Sequence, residues 1–201
     1  MAFLIPFSGA SNSGKTTTLN KIAQKYSDNS VVILDEIIRR NNKPFDIDTI
    51  RNDPNSYLEF QYEINLQKIE EEKALLNKYK KTNDIILIDR SIIDSLFYCT
   101  FYLDKSNLSD NSLGIYVDMF EKIKAHIDSL PYFKILLFSP IKNIDFDSGL
   151  RTKKLKYFQD FEFFFIKKLT YGCFSNDLIL EISTNQIPTF IDDFMTILKI
   201  E

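Results

Sequence analysis

The chain has 201 residues, of which 44% are hydrophobic and 26% charged, with a formal net charge of -3. These values are typical of one soluble domain with a buried core, and the small negative charge does not favour broad binding to a nucleic-acid backbone. No apolar run approaches the roughly 18 residues of a membrane span, and the apolar start lacks a signal peptide's basic region, so we predict a single cytoplasmic domain over residues 1–201.

Five short apolar runs alternate with longer amphipathic stretches, a pattern typical of strands and helices around a parallel sheet. The predicted strands lie in residues 3–5, 31–34, 85–88, 133–138 and 178–180. The predicted helices lie in residues 15–26, 54–81, 91–104, 112–129, 151–171 and 187–199. Proline cannot donate to a central ladder, so we place Pro6 at the C-terminal end of the first strand. The chain is thus predicted to form a three-layer α/β domain.

Residues 9–16 read GASNSGKT and match the phosphate-binding loop, or P-loop, in full. They follow an apolar run and precede a helical pattern, as this loop requires. Its backbone N–H groups surround the phosphates, Lys15 reaches the β- and γ-phosphates, and the Thr16 hydroxyl binds Mg²⁺. We therefore predict ATP and Mg²⁺ as cofactors and a catalytic Lys15, with the nucleotide bound by Gly9, Ser11, Asn12, Ser13, Gly14, Lys15, Thr16 and Thr17.

Asp89, Arg90 and Ser91 follow the third predicted strand. An aspartate at the carboxyl end of a buried strand lies beside the P-loop in such sheets, where it can hold Mg²⁺ directly or through water. Arg90 then faces phosphate, whose oxygens its planar guanidinium can bind in pairs. The alternative is a helix-capping aspartate followed by a surface arginine. We predict that Thr16 and Asp89 bind the metal and that Arg90 is catalytic and contacts the substrate.

Two acids, Asp35 and Glu36, end the second apolar run. Ligands bind beyond the carboxyl ends of parallel strands, where a carboxylate can take the proton of an attacking hydroxyl. Only one of the two can enter the cleft if the backbone is extended there, and we predict Glu36, which can share a helical face with Arg39. Both acids and Arg39 are candidates for acceptor binding, and a pair of helix-start acids is the alternative.

Two further candidates depend on weaker patterns. Gln61 is an amide within an apolar helical face and could read a base edge, although an amide at the margin of the face fits equally well. Residues 147–151, DSGLR, predict a flexible loop whose Arg151 closes over the transferring phosphate, and the alternative is a turn before a helix with a basic face. The aromatic run at residues 161–165 is more typical of core than of a cofactor site.

Taken in order, these motifs resemble those of the small P-loop kinases of the nucleoside and nucleotide kinase group. The likeness is closest to compact AAA-type ATPase or kinase-like domains related to ribosylnicotinamide kinases. It spans about residues 3–182 and comprises residues 9–16, 36–39, 89–91 and 149–151. The resemblance implies a five-stranded parallel sheet in the order 2-3-1-4-5, a helical lid at about residues 140–171, Asp89 near Mg²⁺, Arg90 on phosphate and Glu36 near the acceptor.

We therefore predict an ATP-dependent phosphotransferase that moves the γ-phosphate to a nucleoside-like acceptor. The acceptor stays open among a deoxynucleoside, a nucleoside monophosphate, ribosylnicotinamide and a modified base in DNA, the last disfavoured by the near-neutral charge. The rival from another class is a regulatory module that binds a nucleoside triphosphate with little turnover. The sequence leaves a homodimer open and predicts no membrane partner.

Overall fold

The computed structural model describes residues 2–27, 31–37, 53–79, 81, 84–101, 108–141 and 155–200. Within them a parallel sheet contains five strands: β1 (Phe3–Gly9), β2 (Val31–Leu34), β3 (Ile85–Asp89), β4 (Ile135–Phe138) and β5 (Ile179–Ile182). Their order across the sheet is β2-β3-β1-β4-β5, and every neighbouring pair is parallel. This order confirms the α/β class and the 2-3-1-4-5 arrangement that the resemblance implies.

Helices cover both faces of the sheet. They are α1 (Lys15–Lys25), α2 (Pro54–Tyr79), α3 (Ile92–Phe101), α4 (Asp110–Ser129), α5 (Leu155–Cys173), α6 (Ile187–Asp192) and α7 (Phe194–Leu198). In the described part of the chain, no helix is both long and apolar enough to cross a membrane. The predicted lid is described only at residues 140–141 and from residue 155 onward, where α5 begins.

Successive side chains of the central strands point alternately into two hydrophobic cores, one on each face of the sheet. Leu4 and Ile86 face the core covered by α2, α3 and α4, whereas Ile5 and Leu87 face the core covered by α1, α6 and α7. Successive side chains of a strand point to opposite faces, so a strand covered on both faces is apolar at every position. This requirement explains why the strands read as unbroken apolar runs and why the domain has three layers.

Pro6 lies within β1, and its predicted position at the strand end is wrong. The strand continues to Gly9, and Pro6 is paired with Ile88 of β3 near the centre of the sheet. On its other side, Leu4 forms an isolated bridge with Tyr132, which precedes β4, and β1 pairs with β4 from Phe7 onward. Pro6 falls between these two stretches, so its missing N–H leaves no β4 pairing incomplete.

Two helix boundaries also differ from the prediction. Helix α4 begins at Asp110, before the predicted Ser112, because the Ser109 Oγ caps it by accepting the Ser112 N–H at 3.2 Å. The helix predicted over residues 187–199 is two short helices, since Asp193 between them has φ -111° and ψ 21° and leaves the helical region.

The topology brings three functional segments to one edge. Because β1, β2 and β3 are parallel, their carboxyl ends meet there. The register pairs Phe7 with Asp89 and Leu34 with Ile88. The P-loop after β1, the acids after β2 and Arg90 after β3 are therefore neighbours in space.

Candidate active site

The P-loop joins β1 to α1, and both its glycines are required by the backbone. Gly9 has φ 125°, and a Cβ there would lie 2.3 Å from the Phe138 carbonyl oxygen of β4. Gly14 caps α1 in the left-handed conformation, with φ 85°. Side chains are strained at such angles, so the two glycines allow the loop to turn sharply beside β4 and direct the N-terminus of α1 into the site.

Lys15 is folded inside the loop. Its side chain is buried, and Nζ donates to the carbonyl oxygens of Gly9 at 2.7 Å and Ala10 at 2.6 Å, and to the Ser13 Oγ at 3.2 Å. Burial, with help from the nearby positive charge of Arg90, lowers the pKa of Lys15 to about 8. Burial disfavours the charged form of this amine, and an anion bound in the loop would favour it. The loop is therefore suited to binding phosphate.

The two residues predicted to bind metal lie in contact. The Thr16 Oγ1, in the first turn of α1, donates to the Asp89 Oδ2 at 2.7 Å, and Asp89 is buried at the end of β3. A hydroxyl and a carboxylate are hard oxygen ligands of the kind that Mg²⁺ uses, and Mg²⁺ usually takes only one or two ligands from protein beside phosphate and water. The pair therefore fits a magnesium ion held jointly with a nucleotide.

Glu36 and Arg90 form an ion pair next to this position. The Arg90 Nε lies 2.5 Å from the Glu36 Oε1, and both side chains are largely buried. Asp35, by contrast, is exposed. The structure thus brings Glu36, and not Asp35, to the arginine at the sheet edge.

The backbone of Arg90 adopts a conformation that is uncommon for an arginine. Its φ is 69°, in the left-handed region. Although burial alone would lower it, neighbouring Tyr98 and the Glu36 and Asp94 carboxylates raise the pKa of Arg90 above its ordinary value, so the guanidinium stays charged. A sharp turn after β3 therefore directs a permanent positive charge toward the acids and the P-loop.

Sequence reasoning missed Asp94, which lies beneath the P-loop. This fully buried side chain accepts from the Ser8 hydroxyl, from the Gly9 N–H at 3.4 Å and from the Ser91 hydroxyl at 3.1 Å. Burial raises the pKa of Asp94, and nearby Lys15 and Arg90 oppose the rise. Its position four residues after Arg90, on the first turn of α3, was the only available signal.

A second missed group holds the tip of the loop. Glu162 of α5 accepts from the Ser11 N–H at 2.9 Å and the Ser11 Oγ at 3.1 Å, and Gln159 Nε2 donates to the Ser11 carbonyl at 2.9 Å. Tyr98 of α3 donates to Glu162 at 2.5 Å and accepts from the Arg90 Nη1 at 3.0 Å. No motif signals these contacts, because the residues come from three distant segments.

The remaining predicted site residues do not share one location. Asn12, with φ 58°, and Thr17 are exposed at the loop and on α1. Gln61 is buried on α2, one turn after Tyr57, whose hydroxyl lies 3.5 Å from the Tyr98 carbonyl. Arg39, Arg151 and the rest of the DSGLR loop lie outside the described residues, and their roles stay predictions.

The aromatic run at residues 161–165 is not simply core, contrary to prediction. Phe161 is 38%, Phe164 53% and Phe165 39% exposed, whereas Glu162 within the run is completely buried. The helical repeat explains this inversion, because α5 turns Gln159 and Glu162 toward the P-loop and much of the aromatic surface outward. The carboxylate, and not the aromatic run, is the group that α5 presents to the site.

Comparison with known proteins agrees with this geometry. A family model described as an AAA domain matches residues 4–180. The chain belongs to this AAA domain family. No curated protein sequence matches it.

Two solved structures are similar to the whole chain. One is a NadR protein in complex with NR, with a TM-score of 0.65 and 15% identity, over 100% of this chain and 52% of that one. The chain therefore spans about half the length of that NadR structure. The other is deoxyadenosine kinase from M. mycoides with bound dATP, with a TM-score of 0.63 and 13% identity, over 99% of this chain and 100% of that one. These similarities establish the fold as that of the small P-loop kinases.

Proposed function

We propose that the protein is an ATP-dependent phosphotransferase that moves the γ-phosphate to a nucleoside, a nucleotide or a related acceptor. The observation that carries this proposal is the Glu36–Arg90 ion pair, which lies at the same sheet edge as Lys15 and the Thr16–Asp89 pair. A nucleotide-binding site alone needs the loop and the metal ligands. A carboxylate and an arginine on the neighbouring strand ends supply groups for an acceptor and for the transferring phosphate.

On the donor side, the loop N–H groups and Lys15 would bind the ATP phosphates. Lys15 would exchange its bonds to the Gly9 and Ala10 carbonyls for bonds to phosphate oxygens. Thr16 and Asp89 would hold Mg²⁺, which supplies charge neutralisation between the β- and γ-phosphates when bound. In this arrangement the γ-phosphate would lie next to Arg90.

On the acceptor side, the chemistry depends on the attacking group. If it is a hydroxyl, its oxygen forms a bond to the γ-phosphorus, the bond from that phosphorus to the bridging oxygen breaks, ADP leaves and the proton passes to Glu36. Arg90 would stabilise the charge that develops on the phosphoryl oxygens. We assign Gln61, Asp35 and Arg39 to acceptor binding from the sequence pattern, and the M. mycoides deoxyadenosine kinase makes a deoxynucleoside one reasonable acceptor.

The sequence also predicts a second arginine for the transferring phosphate. We propose that Arg151 closes over the transferring phosphate, so that Arg151→Ala lowers kcat more than it weakens ATP binding. An effect confined to KM would instead identify a plain binding arginine.

One experiment separates the proposal from its rivals. The protein is incubated with γ-labelled ATP, Mg²⁺ and a panel of nucleosides, nucleoside monophosphates, ribosylnicotinamide and DNA, with Lys15→Ala as the control for a contaminating kinase. Label moving to a small acceptor only with the intact lysine supports the proposal. Label moving only to DNA would show a kinase of a modified base, and tight ATP binding without any transfer would show a regulatory module.

A further inference from the structure

Glu162 is a buried carboxylate that needs a physical explanation. It is completely buried, although neighbouring Phe161 and Phe165 are partly exposed. Removing a carboxylate from water costs several kcal/mol unless hydrogen bonds and nearby charges compensate. The described contacts of Glu162 with Ser11 and Tyr98 all lead into the candidate active site.

One face of α5 holds a single P-loop residue by three polar atoms. Glu162 binds the N–H and the hydroxyl of Ser11, and Gln159, three residues earlier on the same helical face, binds its carbonyl. The Ser11 N–H is therefore hydrogen-bonded to α5 in this structure. These contacts set the position of the loop without binding the nucleotide themselves.

The same carboxylate also reaches Arg90 through one intermediate. The Tyr98 hydroxyl donates to Glu162 and accepts from the Arg90 Nη1, and the Arg90 guanidinium carbon lies 5.4 Å from the centre of the Tyr98 ring. Burial raises the pKa of Tyr98, so its hydroxyl keeps the proton that it donates. Arg90 in turn pairs with Glu36. A continuous chain of contacts thus joins α5 to the Glu36 carboxylate.

We propose that Glu162 is a positioning residue that holds Ser11 of the P-loop and, through Tyr98, directs the Arg90 guanidinium toward Glu36 and the transferring phosphate. The kinetic part of this role depends on the proposed phosphotransferase function. Its effect on the loop does not, because the hydrogen bonds to Ser11 exist whether or not phosphate is transferred.

Glu162→Gln tests the proposal with little change in size. If the new NH₂ group faces the Ser11 N–H, that hydrogen bond is lost; if it faces the hydroxyls of Ser11 and Tyr98, they must accept instead of donate. In the second orientation the Ser11 N–H is still held more weakly, because a neutral amide oxygen accepts a weaker hydrogen bond than a carboxylate does. We expect the Ser11 amide to exchange its hydrogen at least about tenfold faster, measured by NMR. With the acceptor found in the panel, we expect kcat to fall about 10–100-fold and the KM for ATP to change less than about threefold, because the reacting groups are misplaced.

Asp160→Asn is the matched control. It removes the same charge from the same helix at an exposed position, and it should leave Ser11 exchange and kcat unchanged. Tyr98→Phe removes the hydroxyl that joins Glu162 to Arg90 and that also lies 3.1 Å from the Ser11 Oγ. It leaves the Glu162 bond to the Ser11 N–H in place, so kcat should fall while the Ser11 amide stays protected. If Glu162→Gln does not fold, Tyr98→Phe still tests whether the contact with Arg90 affects kcat.

Three results would overturn the proposal: wild-type Ser11 exchange in Glu162→Gln, wild-type kcat in that variant, or wild-type kcat in Tyr98→Phe. If the wild-type protein transfers phosphate to no acceptor, the proposed function fails by itself. The Ser11 exchange comparison then still decides whether Glu162 positions the loop.

Discussion

Glu36 and Arg90 face each other across the carboxyl ends of two neighbouring strands. β2 and β3 are paired at Leu34 and Ile88, and each of the two charged residues follows its strand partner by two positions. The Glu36 Oε1 lies 2.5 Å from the Arg90 Nε. Strand register therefore places a carboxylate and a guanidinium together, although 53 intervening residues separate them in the sequence.

This pairing leads to a prediction about the two acids. If the acceptor is a hydroxyl, Glu36→Gln should lower kcat by about 10²–10⁴-fold, since the variant cannot take the proton. Asp35→Asn is the comparison variant and should lower kcat much less, because Asp35 is exposed and is assigned to acceptor binding and not to proton transfer. Steady-state kinetics of both variants test the prediction, and loss of activity in Asp35→Asn alone would show that the wrong acid has been assigned. If the acceptor is a phosphate, Glu36→Gln should instead raise the acceptor KM.

The buried amine of Lys15 predicts how ATP binding depends on pH. Its pKa in the free site is about 8, and bound phosphates should raise that value because they favour the charged amine. Above pH 8 the free protein must therefore take up a proton on binding, so affinity should weaken with rising pH, by at most about tenfold per unit for one proton. Calorimetric titration between pH 7 and 9.5 measures this trend, which should be absent in Lys15→Ala. A flat wild-type profile would contradict the prediction.

The close approach of Gly9 to β4 predicts a large effect of a single methyl group. In Gly9→Ala the new Cβ would lie 2.3 Å from the Phe138 carbonyl oxygen, at a φ of 125°. We expect the free energy of unfolding to fall by more than about 2 kcal/mol, together with a loss of ATP binding. Gly114→Ala is the matched control, since Gly114 is inside α4 with open space around it, and it should stabilise by about 0.5–1 kcal/mol. Urea denaturation compares the two, and equal effects would refute the argument.

A buried ionic cluster away from the P-loop predicts acid sensitivity. Glu72 of α2 lies 2.8 Å from His126 Nε2, accepts from the Tyr132 hydroxyl at 2.9 Å and lies 3.5 Å from Lys68 Nζ. Although burial alone would raise it, Lys68 and His126 hold the pKa of Glu72 below its ordinary value of 4.5. Its contribution to stability is therefore complete above pH 4.5 and is lost as the pH falls through the lower folded-state pKa.

Glu72→Gln should test this cluster directly. The change leaves the buried ammonium of Lys68 uncompensated, so we expect a loss of about 3–5 kcal/mol at pH 7. Exposed Glu70, on the same helix, provides the control variant Glu70→Gln, which should change stability by less than about 0.5 kcal/mol. Urea denaturation from pH 7 to pH 3 should also show a shallower acid loss in Glu72→Gln than in the wild type. Equal acid sensitivity of both proteins would exclude Glu72 as the responsible group.

Local patterns in the sequence determined the fold class and the nucleotide loop of this protein. Unbroken apolar runs predicted the five strands, because strands covered on both faces are apolar at every position. The P-loop was predictable because its function depends on consecutive residues, whose glycines permit a backbone that other residues resist. The order of the sheet came instead from the resemblance to the small P-loop kinases, and the structure confirms it.

Only the tertiary structure decided which side chains meet around the loop. Asp94, Tyr98 and Glu162 occupy helices whose sequences show no motif, and Glu162 lies within an aromatic run of the kind that is typical of core. Their association with Ser8, Ser11 and Arg90 depends on how α3 and α5 pack against β1. Residue periodicity indicates which face of a helix is buried, but it does not specify the partner of a buried polar group. Asp94 and Gly9 are 85 residues apart, and Glu162 and Ser11 are 151 residues apart.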